Sequence, residues 1–340
     1  MQLLAESPLR LTVSLLPVIV FLGVLIFIDS FKLVRFRNIL YSILTGCIVA
    51  FGCLWINSFL MRLLNTSSMT FNQNIAPTVE EIMKGILLVV LIRKKRIGFM
   101  VDASIHGFAI GAGFSIVENI YYFNVHPDPN FLVWIIRGFG TALMHGGVTA
   151  IMGIVSKQFS DRFPNGSLLV FLPGLIVAAT IHTLYNHFFV TPILSTFGLL
   201  IVLPLMVVVV FRSSEKATRN WLGMRMDTDA ELLEMINTGR VTESRVGEYL
   251  TSLMARFSGA VVADMVCLLR IHLELSIRAK GVLLMREAGF KIEADPEVLA
   301  RFEEMKYLEK SIGKTGKIAI APMFHMSDHD LWQLHMLGKK

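Results

Sequence analysis

The stretch ILSTFGLLIVLPLMVVVVF, residues 193–211, carries no charge and is followed directly by Arg212, with Lys216 and Arg219 shortly after. In a helix rising about 1.5 Å per residue it reaches roughly 30 Å, the thickness of a bilayer's hydrocarbon core. It reads as a membrane span and marks where the chain changes solvent. Up to Phe211 the chain holds 8 of its 26 Asp and Glu residues, and the other 18 follow. Of the 340 residues 54% are hydrophobic and 17% charged, against about a quarter charged in soluble domains, which argues against a fully soluble protein. The net charge of +6 comes from basic residues beside apolar runs. That pattern reports membrane topology and argues against a nucleic-acid partner. Cys47, Cys53 and Cys267 are too few and too dispersed for a disulfide framework or a zinc cluster.

Working back from 193–211, six more apolar runs are long enough to cross: 11–28, 38–61, 75–92, 101–125, 131–155 and 167–190. A basic loop follows the first run and no small-residue cleavage site does, so it is expected to remain as an anchor. Lys32, Arg35 and Arg37, then Arg93 to Arg96, then Lys157 and Arg162, then Arg212, Lys216 and Arg219 fall in alternate connections. The intervening loops lack Lys and Arg. Basic loops stay in the cytoplasm, so the N-terminus is expected outside and the C-terminus inside. The predicted fold is all-α: a polytopic bundle of about seven transmembrane helices, residues 1–211, followed by a cytoplasmic helical domain, residues 212–340.

In that second part, 229–237, 242–288 with breaks, and 296–312 read as helices capped by Asp229, Thr242 and Asp295. Val261, Met265, Leu268, Leu269 and His272 share helical spacing and predict a small bundle core. From Gly313 onward the periodicity is weak, and partial disorder is expected.

Ionisable residues inside a span need a partner or a function, because inserting them costs a few kcal/mol. The third run carries Glu80, Glu81 and Lys84. Adjacent carboxylates on a helix point about 100° apart, so only one can face the lysine. Glu80 and Lys84 form the favourable i,i+4 pair, which leaves one carboxylate over. Such a group suits a general acid or base. The fourth run places Gly107, Gly111, Ser115 and Glu118 on one face, so that another helix can approach closely and the acid faces protein. The fifth carries Arg137, Thr141, His145 and Thr149 at successive i+4 positions, and the sixth carries His182 and Asn186. Counted at about 1.5 Å per residue, Glu81, Glu118 and His182 lie roughly 9 to 12 Å below the outer ends of their spans, and His145 roughly 21 Å. The site is therefore expected to open toward the outer leaflet, and the deeper count for His145 implies either a later start of the fifth span or a displaced helix.

These motifs resemble the PrsW-type intramembrane proteases, relatives of the CAAX-prenyl endopeptidases and bacteriocin-processing membrane enzymes. Glu80-Glu81 with Lys84, Gly113-Phe114-Ser115 leading to Glu118-Asn119 with Tyr121-Tyr122, His145-Gly146, and His182 with Tyr185-Asn186 occur in order on separate spans. The resemblance covers roughly 75–188 and does not reach 212–340. It implies hydrolysis of a peptide bond in a membrane-protein substrate, single-span in the simplest case, by an integral protein of the bacterial cytoplasmic membrane. The implied catalytic residues are Glu80, Glu81, Glu118, His145, His182 and Asn186. In the favoured reading a carboxylate of the Glu80/Glu81 pair activates water, and His182, oriented by Asn186, stabilises the oxyanion or protonates the leaving amine. A zinc version would draw its ligands from His145, His182, Glu118 and Glu81.

Other protease classes lack support. Gly111-Ala112-Gly113-Phe114 has Phe where an aspartyl intramembrane protease has Asp, and no Gly-x-Ser-Gly occurs. Two rivals from other classes use the same residues: a proton- or cation-coupled transporter or channel, and a membrane-anchored sensor or scaffold acting through 212–340. That domain is also the expected site of a regulatory partner or of self-association.

Overall fold

The computed structural model describes residues 2–29, 34–125, 130–163, 166–290 and 295–324, and these are helical with no strand among them. In chain order the helices are α1 (Gln2–Ile28), α2 (Phe36–Leu63), α3 (Ser68–Asn74), α4 (Ala76–Arg93), α5 (Met100–Val125) and α6 (Phe131–Ile136). A π-helical turn, Arg137–Ala142, joins α6 to α7 (Leu143–Arg162). Then come α8 (Leu172–Asn186), α9 (Pro192–Asn237), α10 (Arg245–Leu253), α11 (Gly259–Glu287) and α12 (Pro296–Ile320). The chain divides into two compact units, Met1–Ser214 and Glu215–Lys340.

In the first unit α5 is enclosed on nearly every side, packed between α2 and α7. Glycine makes this possible. A Cβ at Gly111 or Gly107 would collide with the carbonyl of His145 or Thr149 on α7, and one at Gly113 with the carbonyl of Ile43 on α2. The outer helices turn large apolar side chains outward, among them Phe27, Trp55, Phe59 and Val209, the surface a lipid environment requires.

Among the described residues six helical segments are long and apolar enough to cross a membrane: Pro8–Ile28, Phe36–Leu63, Met100–Val125, Phe131–Arg162, Leu168–Asn186 and Pro192–Lys216. Helix α4, the third of the expected spans, falls outside this set because Glu80, Glu81, Lys84 and Arg93 lie within its 18 residues. Its amphipathicity is inverted. Glu81, Lys84, Gly85, Leu88 and Ile92 form the buried face, whereas Ile82, Ile86 and Val90 face outward. Lys157, read above as a loop charge, is instead buried and pairs with Asp161 at 2.6 Å.

The second unit is a helical bundle whose core includes Leu250, Met265, Leu268, Leu269, Val298, Leu308 and Ile312. Asp295 caps α12 as expected, but α10 and α11 are capped by Ser244 and Ser258. Asp229 caps nothing: α9 runs through it without a break, and its carboxylate accepts from Ser276 and the buried Lys280, each at 2.6 Å. Gly313, at φ 67°, interrupts α12, and the helix then resumes to Ile320. The stretch expected to be disordered is thus helical as far as Phe324, and 325–340 lies outside the described residues.

Candidate active site

The ionisable residues of four helices meet in one buried cluster. On α4, Glu81 and Lys84 are both 0% exposed, and the Lys84 ammonium donates to Glu81 Oε1 at 2.6 Å. The pairing is therefore i,i+3, and Glu80, not Glu81, is the carboxylate left over. Lys84 also lies 3.1 Å from His145 Nδ1 and 4.3 Å above the Phe114 ring. An ammonium can only donate, so Nδ1 of His145 accepts and Nε2 carries the proton. That proton is directed at Glu118 Oε2, 3.0 Å away on α5.

His182 on α8 sits edge-on to His145, with ring centroids 4.8 Å apart. Its Nδ1 is 2.9 Å from Glu81 Oε1, so with Glu81 ionised against Lys84 the imidazole proton resides on Nδ1. Nε2 then presents its lone pair toward Glu80 Oε2 at 3.9 Å, beyond direct hydrogen-bond reach. Glu80, whose side chain is 14% exposed, has its other oxygen hydrogen-bonded by Asn57 Nδ2 on α2 at 3.3 Å.

Arg137 closes the far end. Its Nε donates to Asn119 Oδ1 at 2.9 Å, its guanidinium lies 3.9 Å above the Tyr122 ring, and Nη2 is 3.6 Å from Glu118 Oε2. Residues eight apart on an unbroken α-helix point about 80° apart. The π turn between Arg137 and His145 winds more slowly, which reduces that angle and lets both side chains reach Glu118. His145 is thus not displaced from the cluster.

Of the expected residues, Glu80, Glu81, Glu118, His145 and His182 come together. Asn186 does not orient His182. Glu81 occupies Nδ1 of that histidine, and the Asn186 amide donates to the Asn72 carbonyl on α3 at 3.0 Å. Lys84, Asn57 and Arg137 take part although the expected catalytic set omits them. Asn57 was detectable as the next step of the inward stripe Ile39, Ser42, Gly46, Ala50, Cys53 on α2.

One oxygen of Glu80 and one nitrogen each of His145 and His182 lie within 4.8 Å of one another. Two imidazoles and a carboxylate are a donor set that zinc takes, and Glu81 behind His182 supplies the usual second carboxylate; His145 would ligate only on giving up its bond to Lys84 or to Glu118. Glu118 and Glu81, expected as ligands, instead hold the histidines, while the ligating carboxylate would be Glu80.

The model of the PrsW family of intramembrane metalloproteases matches residues 35–211, more than half of the chain and all of the cluster just described. The chain belongs to that family. No curated protein and no solved structure matches it. This PrsW-family protein is accordingly an integral membrane protein and an intramembrane protease, which implies a membrane-embedded substrate and a lipid surround.

Proposed function

We propose that this PrsW-family protein cleaves its substrate by general-base hydrolysis with Glu80 as the base. The observation that carries this reading is the division of labour between adjacent carboxylates. Glu81 is committed to Lys84 and His182, while Glu80 keeps an oxygen facing the His182 lone pair across 3.9 Å. A water about 2.8 Å from both atoms would sit about 2 Å off the line joining them. Glu80 takes one proton of that water as its oxygen bonds to the scissile carbonyl carbon and the carbonyl pair moves onto oxygen. His182 Nε2 accepts the other hydrogen and fixes the direction of attack. The C–N bond then breaks as Glu80 returns its proton to the leaving amine. Lys84 keeps Glu81 ionised, and Glu118 keeps the His145 proton on Nε2.

A second reading has the support of the family's metalloprotease description and of the converging Glu80, His145 and His182 atoms. Zinc held by those three residues would supply Lewis-acid polarisation of water and carbonyl. Metal analysis of the purified protein separates the two: stoichiometric zinc lost together with activity on chelation supports the second reading, and full activity after zinc removal supports the first.

The topology we infer has the N-terminus outside and residues 212–340 in the cytoplasm of a bacterial cell, with α4 as a seventh span whose apolar face is Ile82, Ile86 and Val90. The Glu215–Lys340 unit is proposed to hold a regulatory partner. The function is tested with a co-expressed single-span reporter: Glu80→Gln, Glu81→Gln and His182→Ala should each abolish cleavage while the protein stays inserted. Retained cleavage in all three would refute the site, and ion flux without cleavage would favour a transporter.

A further inference from the structure

We propose that Asn57 on α2 is a positioning residue for Glu80, an inference that rests on Glu80 being the base. Lys84 is engaged by Glu81, so the direct hydrogen bond given to the Glu80 carboxylate comes from the Asn57 amide, Nδ2 to Oε1 at 3.3 Å. That contact fixes which oxygen is bound and which is presented: Oε1 is held on α2, and Oε2 is left facing His182 Nε2. Without it the carboxylate can rotate about its terminal bond, a torsion with a broad minimum.

The amide is oriented by this pairing, since the reverse orientation would set two oxygens against each other. The consequence is that Asn57 Oδ1 is buried with no hydrogen-bond partner among the described residues. An unmet acceptor destabilises the fold relative to an apolar side chain of the same size. Packing also gives no reason for an amide here. The rest of the inward stripe on α2 is made of small or apolar groups, Gly46, Ala50 and Cys53, against Phe114 and Val117 of α5. The polar group therefore opposes stability at the position where it touches the proposed base. This is the pattern of a residue whose role lies in the site.

The test uses purified full-length protein in proteoliposomes with an internally quenched single-span reporter peptide that the wild type cuts. Asn57→Leu should lower kcat about 10- to 100-fold, the usual loss when a partner behind a reacting group is removed. KM should stay within about twofold, and the Tm should be unchanged or higher. Asn57→Ala should show the same loss of kcat. In a Glu80→Asp background, where the shorter carboxylate withdraws from α2, Asn57→Leu should cost far less, because the two residues act through one contact. A wild-type kcat in Asn57→Leu, or a loss of kcat only in step with a falling Tm in both variants, would overturn the proposal while leaving an inactive Glu80→Gln intact as evidence for the base. An active Glu80→Gln would remove the underlying reading itself.

Discussion

Lys84 of α4 and His145 of α7 share a hydrogen bond of 3.1 Å between ammonium and Nδ1, and this bond determines which imidazole nitrogen carries a proton. Through it a motif on one helix sets the chemistry of a residue on another. The same ammonium neutralises Glu81, and both side chains are completely buried.

Removing that ammonium strands a buried carboxylate. Lys84→Met should destabilise the protein by about 3–5 kcal/mol, the usual consequence of breaking a buried pair from one side, and should abolish cleavage. Thermal unfolding in detergent, read against the double variant Lys84→Met/Glu81→Gln, checks the cause: the double variant should recover much of the lost stability without recovering activity.

Glu118 acts through His145, so its amide should be tolerated better than its absence. The Glu118→Gln side-chain oxygen can still accept from Nε2, and reporter cleavage should fall less than in Glu118→Ala, where about 10- to 100-fold is expected. Equal losses in the two variants would show that Glu118 acts by charge, a role in which its 3.6 Å approach to Arg137 would matter more than its bond to His145.

Close approach of α5 and α7 aligns Glu118 with His145, so the glycines between them are sensitive to a single methyl. Gly111→Ala should lower both the Tm and cleavage because its Cβ meets backbone, the His145 carbonyl, which cannot swing aside. Gly23→Ala in α1, where nothing lies within 4 Å of the added methyl, should be neutral.

In the Glu215–Lys340 unit His272 packs 4.6 Å from the Phe324 ring. Burial pushes its pKa down from 6.5 to about 4, opposed by Glu309 and Asp229. The folded state thus resists a proton that the unfolded chain accepts. The stability this contributes is complete above about pH 6.5 and declines as pH falls toward 4, by of order 1–3 kcal/mol. The Tm difference between full-length wild type and His272→Leu should be constant above pH 7. The wild type should lose ground to the variant between pH 6.5 and 5.

Much of this arrangement was legible in the sequence, because a charge inside an apolar run is conspicuous. Glu80, Glu81, Glu118, His145 and His182 stood out for that reason, and they do meet. What the pattern could not give was which neighbour each takes. Spacing favoured Glu80 with Lys84, but α4 turns Glu81 and Lys84 inward together, so the i,i+3 pair forms. Asn186 has the right spacing from His182, yet its amide donates to the Asn72 carbonyl on α3. The π turn at Arg137–Ala142 has no periodicity signal and alters the face on which Arg137 lies. Asn57 carries no charge to set it apart from its apolar neighbours, although it continues their stripe.

The central claim is that Glu80 activates the water that cleaves the substrate. Its most direct test is mass spectrometry of the products formed by reconstituted protein from a single-span reporter in water enriched in oxygen-18. The account predicts two fragments from the wild type, with one heavy oxygen in the new C-terminal carboxylate, and no fragments from an equally well folded Glu80→Gln. Fragments from Glu80→Gln at the wild-type rate would contradict it.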